Sequence, residues 1–155
     1  MIESIKEILI TFFISMLPVV ELRGAVPYAL AHDVAWPVAL VVSIIGNMLP
    51  VPFILLFMRK MFDWLSRFRL TSRLIDFLND HIRKKSRPVL KYATAGLIIL
   101  VAIPLPGTGA WTGSMVAALL DLRMKTAVPA IFCGVAAAGA IVTFVSLSAI
   151  HVFGL

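Results

Sequence analysis

Cysteine, histidine and acidic residues are all scarce in this chain. The single cysteine, Cys133, excludes an internal disulfide and any thiolate cage around a metal. It reads as a small apolar residue in a helix. Three dispersed histidines, His32, His81 and His151, form no metal set. There is no Ser–His–Asp pattern and no glycine-rich phosphate loop with its lysine. An enzyme is therefore not expected, nor a cofactor. Charge is scarce too: 14% of the 155 residues are charged, 61% are hydrophobic, and the mean hydropathy is +1.01. Soluble domains carry roughly 45–50% apolar and about 25% charged residues. With so little polar surface the chain is expected to use lipid as its solvent. No small-residue cleavage site follows the first apolar run, so the hydrophobic segments are expected to be retained.

What charge there is lies in one place. Ten of the fourteen basic residues fall between Arg59 and Lys91. That bias is expected of a cytoplasmic segment facing an anionic leaflet. The segment offers no aromatic platform for stacking bases, so nucleic acid is not an expected partner. Apolar residues recur through it at helical spacing (Phe62, Leu65, Phe68, Leu74, Phe77, Leu78 and Ile82), which predicts a basic amphipathic helix along the cytoplasmic interface. Pro88 should end that helix.

Four apolar stretches flank this linker: residues 8–31, 36–58, 92–120 and 127–150. A helix crossing ~30 Å of hydrocarbon needs about 20 apolar residues. The second and fourth stretches read as plain spans. The first is interrupted by Pro18, Glu21, Arg23, Gly24 and Pro27, and the third by Pro104, Pro106, Gly107, Gly109 and Gly113. The halves resemble one another. An offset of 86 places Pro18 on Pro104, Glu21 on Gly107 and Arg23 on Gly109, while 88 places Asp33 on Asp121 and Gly46 on Gly134. Such weak internal symmetry is typical of duplicated transporters.

The charges choose a topology. If both broken segments dip in and return, with the linker cytoplasmic, Arg123 and Lys125 are also cytoplasmic, as the positive-inside bias prefers. If both span, these two fall on the wrong side. The expected fold is therefore an all-α integral membrane domain over residues 1–155, an inverted repeat of re-entrant hairpin plus transmembrane helix. Repeat one covers about 8–58, the amphipathic linker about 59–91 and repeat two about 92–150. Broken backbone at mid-membrane must be buried in protein or line a wet cavity, so the hairpins should face each other. The expected location is a multi-pass place in the cell membrane, with the basic linker cytoplasmic. So few helices make a thin wall around a cavity, which favours a homodimer.

Two constellations carry the chemistry. In Leu17-Pro-Val-Val-Glu-Leu-Arg-Gly-Ala-Val-Pro27, an acid and a base sit two apart between prolines that forbid an unbroken helix. A charge at the bilayer centre costs from about 2.5 to more than 10 kcal/mol, so such residues pair, line a cavity, or both. Glu21 and Arg23 either neutralise one another and free backbone groups, or form a substrate or proton site. Arg23 presents a fork of donors suited to phosphate or carboxylate. Poorly solvated Glu21 is a candidate proton carrier. The second constellation is Ile103-Pro-Leu-Pro-Gly-Thr-Gly-Ala-Trp-Thr-Gly113. Its glycines permit close backbone approach, and free N–H groups at the following helix start favour an anion. Thr108, Thr112 and Ser114 add hydroxyls, and Trp111 reads as a gate or as packing. Asn47, between Gly46 and Pro50, either faces the cavity or packs in its span. Asp33 and Asp121 read as turn or cap residues at the membrane edge.

These two motifs, Glu21-Leu-Arg-Gly-Ala-Val-Pro27 and Pro104-Leu-Pro-Gly-Thr-Gly-Ala-Trp-Thr-Gly113, together resemble the small multidrug export protein family, which is related to the DedA superfamily. The resemblance covers essentially the whole chain. It implies two opposed re-entrant hairpins and a transport role, with polyprenyl-phosphate lipids and protons among the implied partners. The chain departs from the DedA pattern in being shorter and in lacking a second acid or arginine in its second hairpin. The expected function is a membrane transporter of a polyprenyl-phosphate or related anionic lipid. An exporter of cationic amphiphilic drugs and a non-transporting membrane scaffold are the alternatives.

Overall fold

The computed structural model describes residues 2–65, 87–105 and 107–153. Among these the chain is helical throughout, in seven segments: α1 (Ile2–Met16), α2 (Glu21–Ala31), α3 (Trp36–Met48), α4 (Val51–Leu65), α5 (Arg87–Ala102), α6 (Ala110–Leu119) and α7 (Met124–Phe153). Two stretches are long and apolar enough to cross a membrane, Trp36–Phe62, which joins α3 to α4, and Met124–Val152. Most of the expected linker, with its amphipathic helix, lies outside the described residues. Its edges differ from expectation. Residues 59–65 continue α4, and Pro88 stands in the first turn of α5, where its missing N–H has no intrahelical acceptor to lose.

The four short helices near the breaks cannot cross alone. α1 has 15 residues and α2 has 11, about 22 and 16 Å at 1.5 Å per residue. They fold back on each other instead. The Tyr28 hydroxyl, eight residues beyond the break, donates to Glu7 Oε2 at 2.6 Å, ten residues before it. α5 and α6 fold back in the same way, with Gly113 set against Leu97 and Val101. The short second arms then cross over: α2 packs on α7, and α6 packs on α4.

Small residues make this close assembly feasible. The interior is rich in alanine (Ala25, Ala29, Ala39, Ala110, Ala117, Ala127, Ala130 and Ala138) around Leu22, Leu97, Leu122 and Ile131. The large side chains point out: Phe13, Phe53 and Phe144 are 63%, 68% and 74% exposed. Small inside and bulky apolar outside is the pattern of helices packed by van der Waals contact in lipid.

The second apolar stretch is less plain than its composition implies. Pro50 and Pro52 interrupt it at Leu49–Pro50, and the chain bends there between α3 and α4.

Candidate functional site

Both breaks end where a helix begins, and the two helix starts meet. Glu21 opens α2 with φ +50°, while Gly109 caps α6 with φ +140°. Both angles lie in the left-handed region, so each break turns its chain sharply before the helix starts. The Glu21 carboxylate is pressed against Gly109, where a Cβ would overlap it, and Glu21 is only 4% exposed. Its Oε1 accepts the Trp111 backbone N–H at 3.3 Å. The carboxylate thus occupies the N-terminal end of α6, whose first N–H groups have no carbonyl of their own helix to bond.

Arg23 reaches the other side of the same break. Its guanidinium donates to the carbonyl of Leu105, to that of Ile103 at 3.2 Å and to Thr108 Oγ1 at 2.8 Å. Thr108 Oγ1 in turn lies 2.7 Å from the Ile103 carbonyl and 2.9 Å from that of Leu105. Both carbonyls also accept backbone N–H groups, Ile103 from Leu105 at 2.9 Å and Leu105 from Thr108 at 3.2 Å, and Arg23 binds this turn rather than Glu21. Its Nε is buried without a partner. The indole of Trp111 ties the breaks once more, donating Nε1–H to the Met16 carbonyl at 3.1 Å. Thr112 closes the second break upon itself, donating to the Gly107 carbonyl at 2.7 Å.

Glu21, Arg23, Thr108, Gly109 and Trp111 therefore come together from segments over 80 residues apart. The exposed Pro104 and Gly107 lie on the second break and Thr112 in the first turn of α6, while Gly113 faces Leu97, Val101 and Ile131. Pro106 lies outside the described residues. Gly24 and Pro27 sit within α2, Gly24 against Val20. Asn47 is fully buried on α3, with neither side-chain oxygen nor nitrogen bonded. Ser43, one turn earlier, shares that condition and was not singled out above; its spacing of four from Asn47 on one helical face was the available signal. Nor were Glu7, Tyr28 and Arg59 singled out. Arg59 donates to the Leu122 carbonyl, joining the middle of α4 to the turn after α6.

The profile of a family described as "Putative small multi-drug export protein" matches residues 21–141. The chain belongs to that family. The matched stretch begins on Glu21 itself and takes in the second break, so all the contacts just described from Glu21, Arg23 and Trp111, save that to Met16, lie within the small multi-drug export unit. With its two long apolar helices, this member is a membrane protein. No curated protein and no solved structure matches the chain.

Proposed function

We propose that this small multi-drug export family member is a transporter that moves a polyprenyl-phosphate or related anionic lipid across the bilayer, coupled to protons. The observation that carries this reading is the Glu21 carboxylate resting on the N-terminus of α6. An internal anion holds the place where a phosphate would bind. Protonating Glu21 removes its charge and releases those N–H groups to the headgroup; deprotonation returns the carboxylate and expels the lipid. Arg23 lies beside this place with exchangeable carbonyl contacts, and phosphate oxygens are stronger acceptors for a guanidinium than carbonyls are.

In this reading the two halves are inverted repeats, related to the DedA superfamily, and their hairpins are re-entrant. Gly46 packs on Phe12 and Ser15 as Gly134 packs on Ile98 and Val101, the same relation in both halves. The Arg59–Leu122 bond supports re-entry. With four full crossings Arg59 and Leu122 would stand at opposite faces, whereas they touch. That edge is taken as cytoplasmic, in a prokaryotic cell membrane.

Export of cationic amphiphiles is the second reading, favoured by Arg23 already being engaged by backbone, which leaves Glu21 as the charge on offer. Proteoliposomes separate the two. Fluorescent polyprenyl phosphate should change leaflets with wild type, and about tenfold or more slowly with Glu21→Gln and with Arg23→Ala. Unchanged rates in both variants reject lipid transport. A cation exporter keeps its activity in Arg23→Ala and loses it in Glu21→Gln.

A further inference from the structure

The turns that follow α2 and α6 share one backbone and differ in charge. Asp33 and Asp121 both adopt left-handed angles. Two residues on, the Ala35 carbonyl accepts the N–H groups of Val38 and Ala39 at 2.9 and 3.0 Å. The Arg123 carbonyl accepts those of Thr126 and Ala127 in the same way, both at 2.8 Å. An offset of 88 sets Ala35 opposite Arg123 and Pro37 opposite Lys125. The first turn thus takes this shape with no cation in it, so Arg123 and Lys125 are not needed to form the second. A further cation is fixed to the second turn: Arg59 of α4 donates to the Leu122 carbonyl.

The corner so formed carries an excess of positive charge on an apolar flank. Leu122 is buried and pins the turn, while Lys60, Arg123 and Lys125 are exposed and Arg59 is half-buried. Segments 59–64 and 121–126 together hold four cations, Arg59, Lys60, Arg123 and Lys125, against two acids, Asp63 and Asp121. The sequence between α4 and α5, residues 66–86, cannot supply the missing anion, because it has six cations and two acids of its own. Gathering like charges is unfavourable unless an anion from elsewhere offsets them. Beside the cations the surface is apolar: Phe57 of α4 and Leu119 at the end of α6 are exposed. Trp64, one turn after Lys60, is exposed too, and an indole suits the level of lipid headgroups.

We propose that this corner, between the second half of α4 and the start of α7, binds the headgroup of an anionic phospholipid resident in the adjoining leaflet. Arg123 offers a forked donor to the phosphate, and Lys125 and Lys60 offer point charges. Arg59 holds the Leu122 turn against α4 and so keeps these charges in one place. The exposed flank of Phe57 and Leu119 gives the acyl chains a surface to lie on, which a soluble phosphate has no use for. The site is separate from the Glu21–Arg23 centre and does not depend on what crosses there. Its occupant is a bound lipid that clasps α4, α6 and α7 together at one edge of the bundle.

The test uses the full chain in detergent, titrated with phosphatidylglycerol, with phosphatidylcholine and with inorganic phosphate, and followed by thermal unfolding. Wild type should be stabilised by phosphatidylglycerol well beyond phosphatidylcholine, and not by phosphate. Arg123→Ala with Lys125→Gln should fold, since the first turn already carries Ala35 at the matching place. It should bind phosphatidylglycerol more weakly by about fivefold for each charge removed. Arg83→Gln with Lys84→Gln and Lys85→Gln, which removes more charge outside the corner, should keep the preference. Equal stabilisation by the two lipids overturns the site, and equal stabilisation by inorganic phosphate overturns its assignment to a lipid. An undiminished preference in the Arg123, Lys125 variant also overturns it. So does a loss in the Arg83, Lys84, Lys85 variant as large as that at the corner, because basic charge anywhere would then serve.

Discussion

Gly109 is the residue on which both breaks turn. Its φ of +140° is one that a side chain rarely adopts, and the space beside it is filled by the Glu21 carboxylate. Gly109→Ala should therefore strain the backbone and expel Glu21 from the α6 terminus. The expected loss is roughly 1–3 kcal/mol of stability, read as a lower unfolding midpoint in detergent, together with loss of lipid movement. Gly107→Ala is the control, because its φ is also positive but nothing lies within reach of an added Cβ. It should share the backbone strain and keep Glu21 in place, with most of the activity. If both variants behave alike, the Glu21–Gly109 contact has no special part.

At the level of helices, the ends of α2 and α6 invite direct comparison. Asp33 and Asp121 both adopt left-handed backbone, at φ +59° and +48°. The N–H of each next residue bonds back in the same way, Val34 to the Ala29 carbonyl and Leu122 to that of Ala117, at 3.0 Å in both. These are glycine-type helix stops occupied by aspartate. Asp33→Gly and Asp121→Gly should each raise stability, by up to about 1 kcal/mol, and two equal rises in the unfolding midpoint would check it. Pro50→Ala should act on the other kind of helix end. By restoring an N–H to the Gly46 carbonyl, it should stabilise the protein by roughly 1–3 kcal/mol, read as a higher unfolding midpoint in detergent.

Much of this was legible from residue types. Apolar runs located the helices, and Pro18 and Pro104 marked the two breaks, whereas Pro27, expected to interrupt the first stretch, lies inside α2. The aspartates at helix ends were legible for the same local reason. What escaped was non-local. The sequence set Glu21 beside Arg23 in one motif, yet their side chains part company across the second break, one to Gly109 and Trp111, the other to Ile103, Leu105 and Thr108. An offset of 86 aligned Glu21 with Gly107. The helix starts instead pair Glu21 with Ala110, because the second break is three residues longer, which no composition signal reveals. The bend at Leu49–Pro50 was also missed, since its hydropathy is that of an ordinary span.

For the molecule as a whole, the arrangement makes a definite statement about sidedness. On a Cys133→Ala background, single cysteines at Lys6, Lys60 and Lys125 should label with Lys60 and Lys125 on one face and Lys6 on the other. Four complete crossings would instead put Lys6 with Lys60 and leave Lys125 opposite, and that pattern would remove the basis for re-entrant hairpins. The crossing-over of short arms, α2 onto α7 and α6 onto α4, has a further bearing on how the protein is made. When the first hairpin leaves the ribosome, the surfaces that will shelter Glu21 and receive Arg23 have not been synthesised. The nascent first half must wait at the headgroup region with its acid and base still wet. Insertion to full depth is then expected to be late and cooperative, completed only when residues from Ile103 to Trp111 arrive.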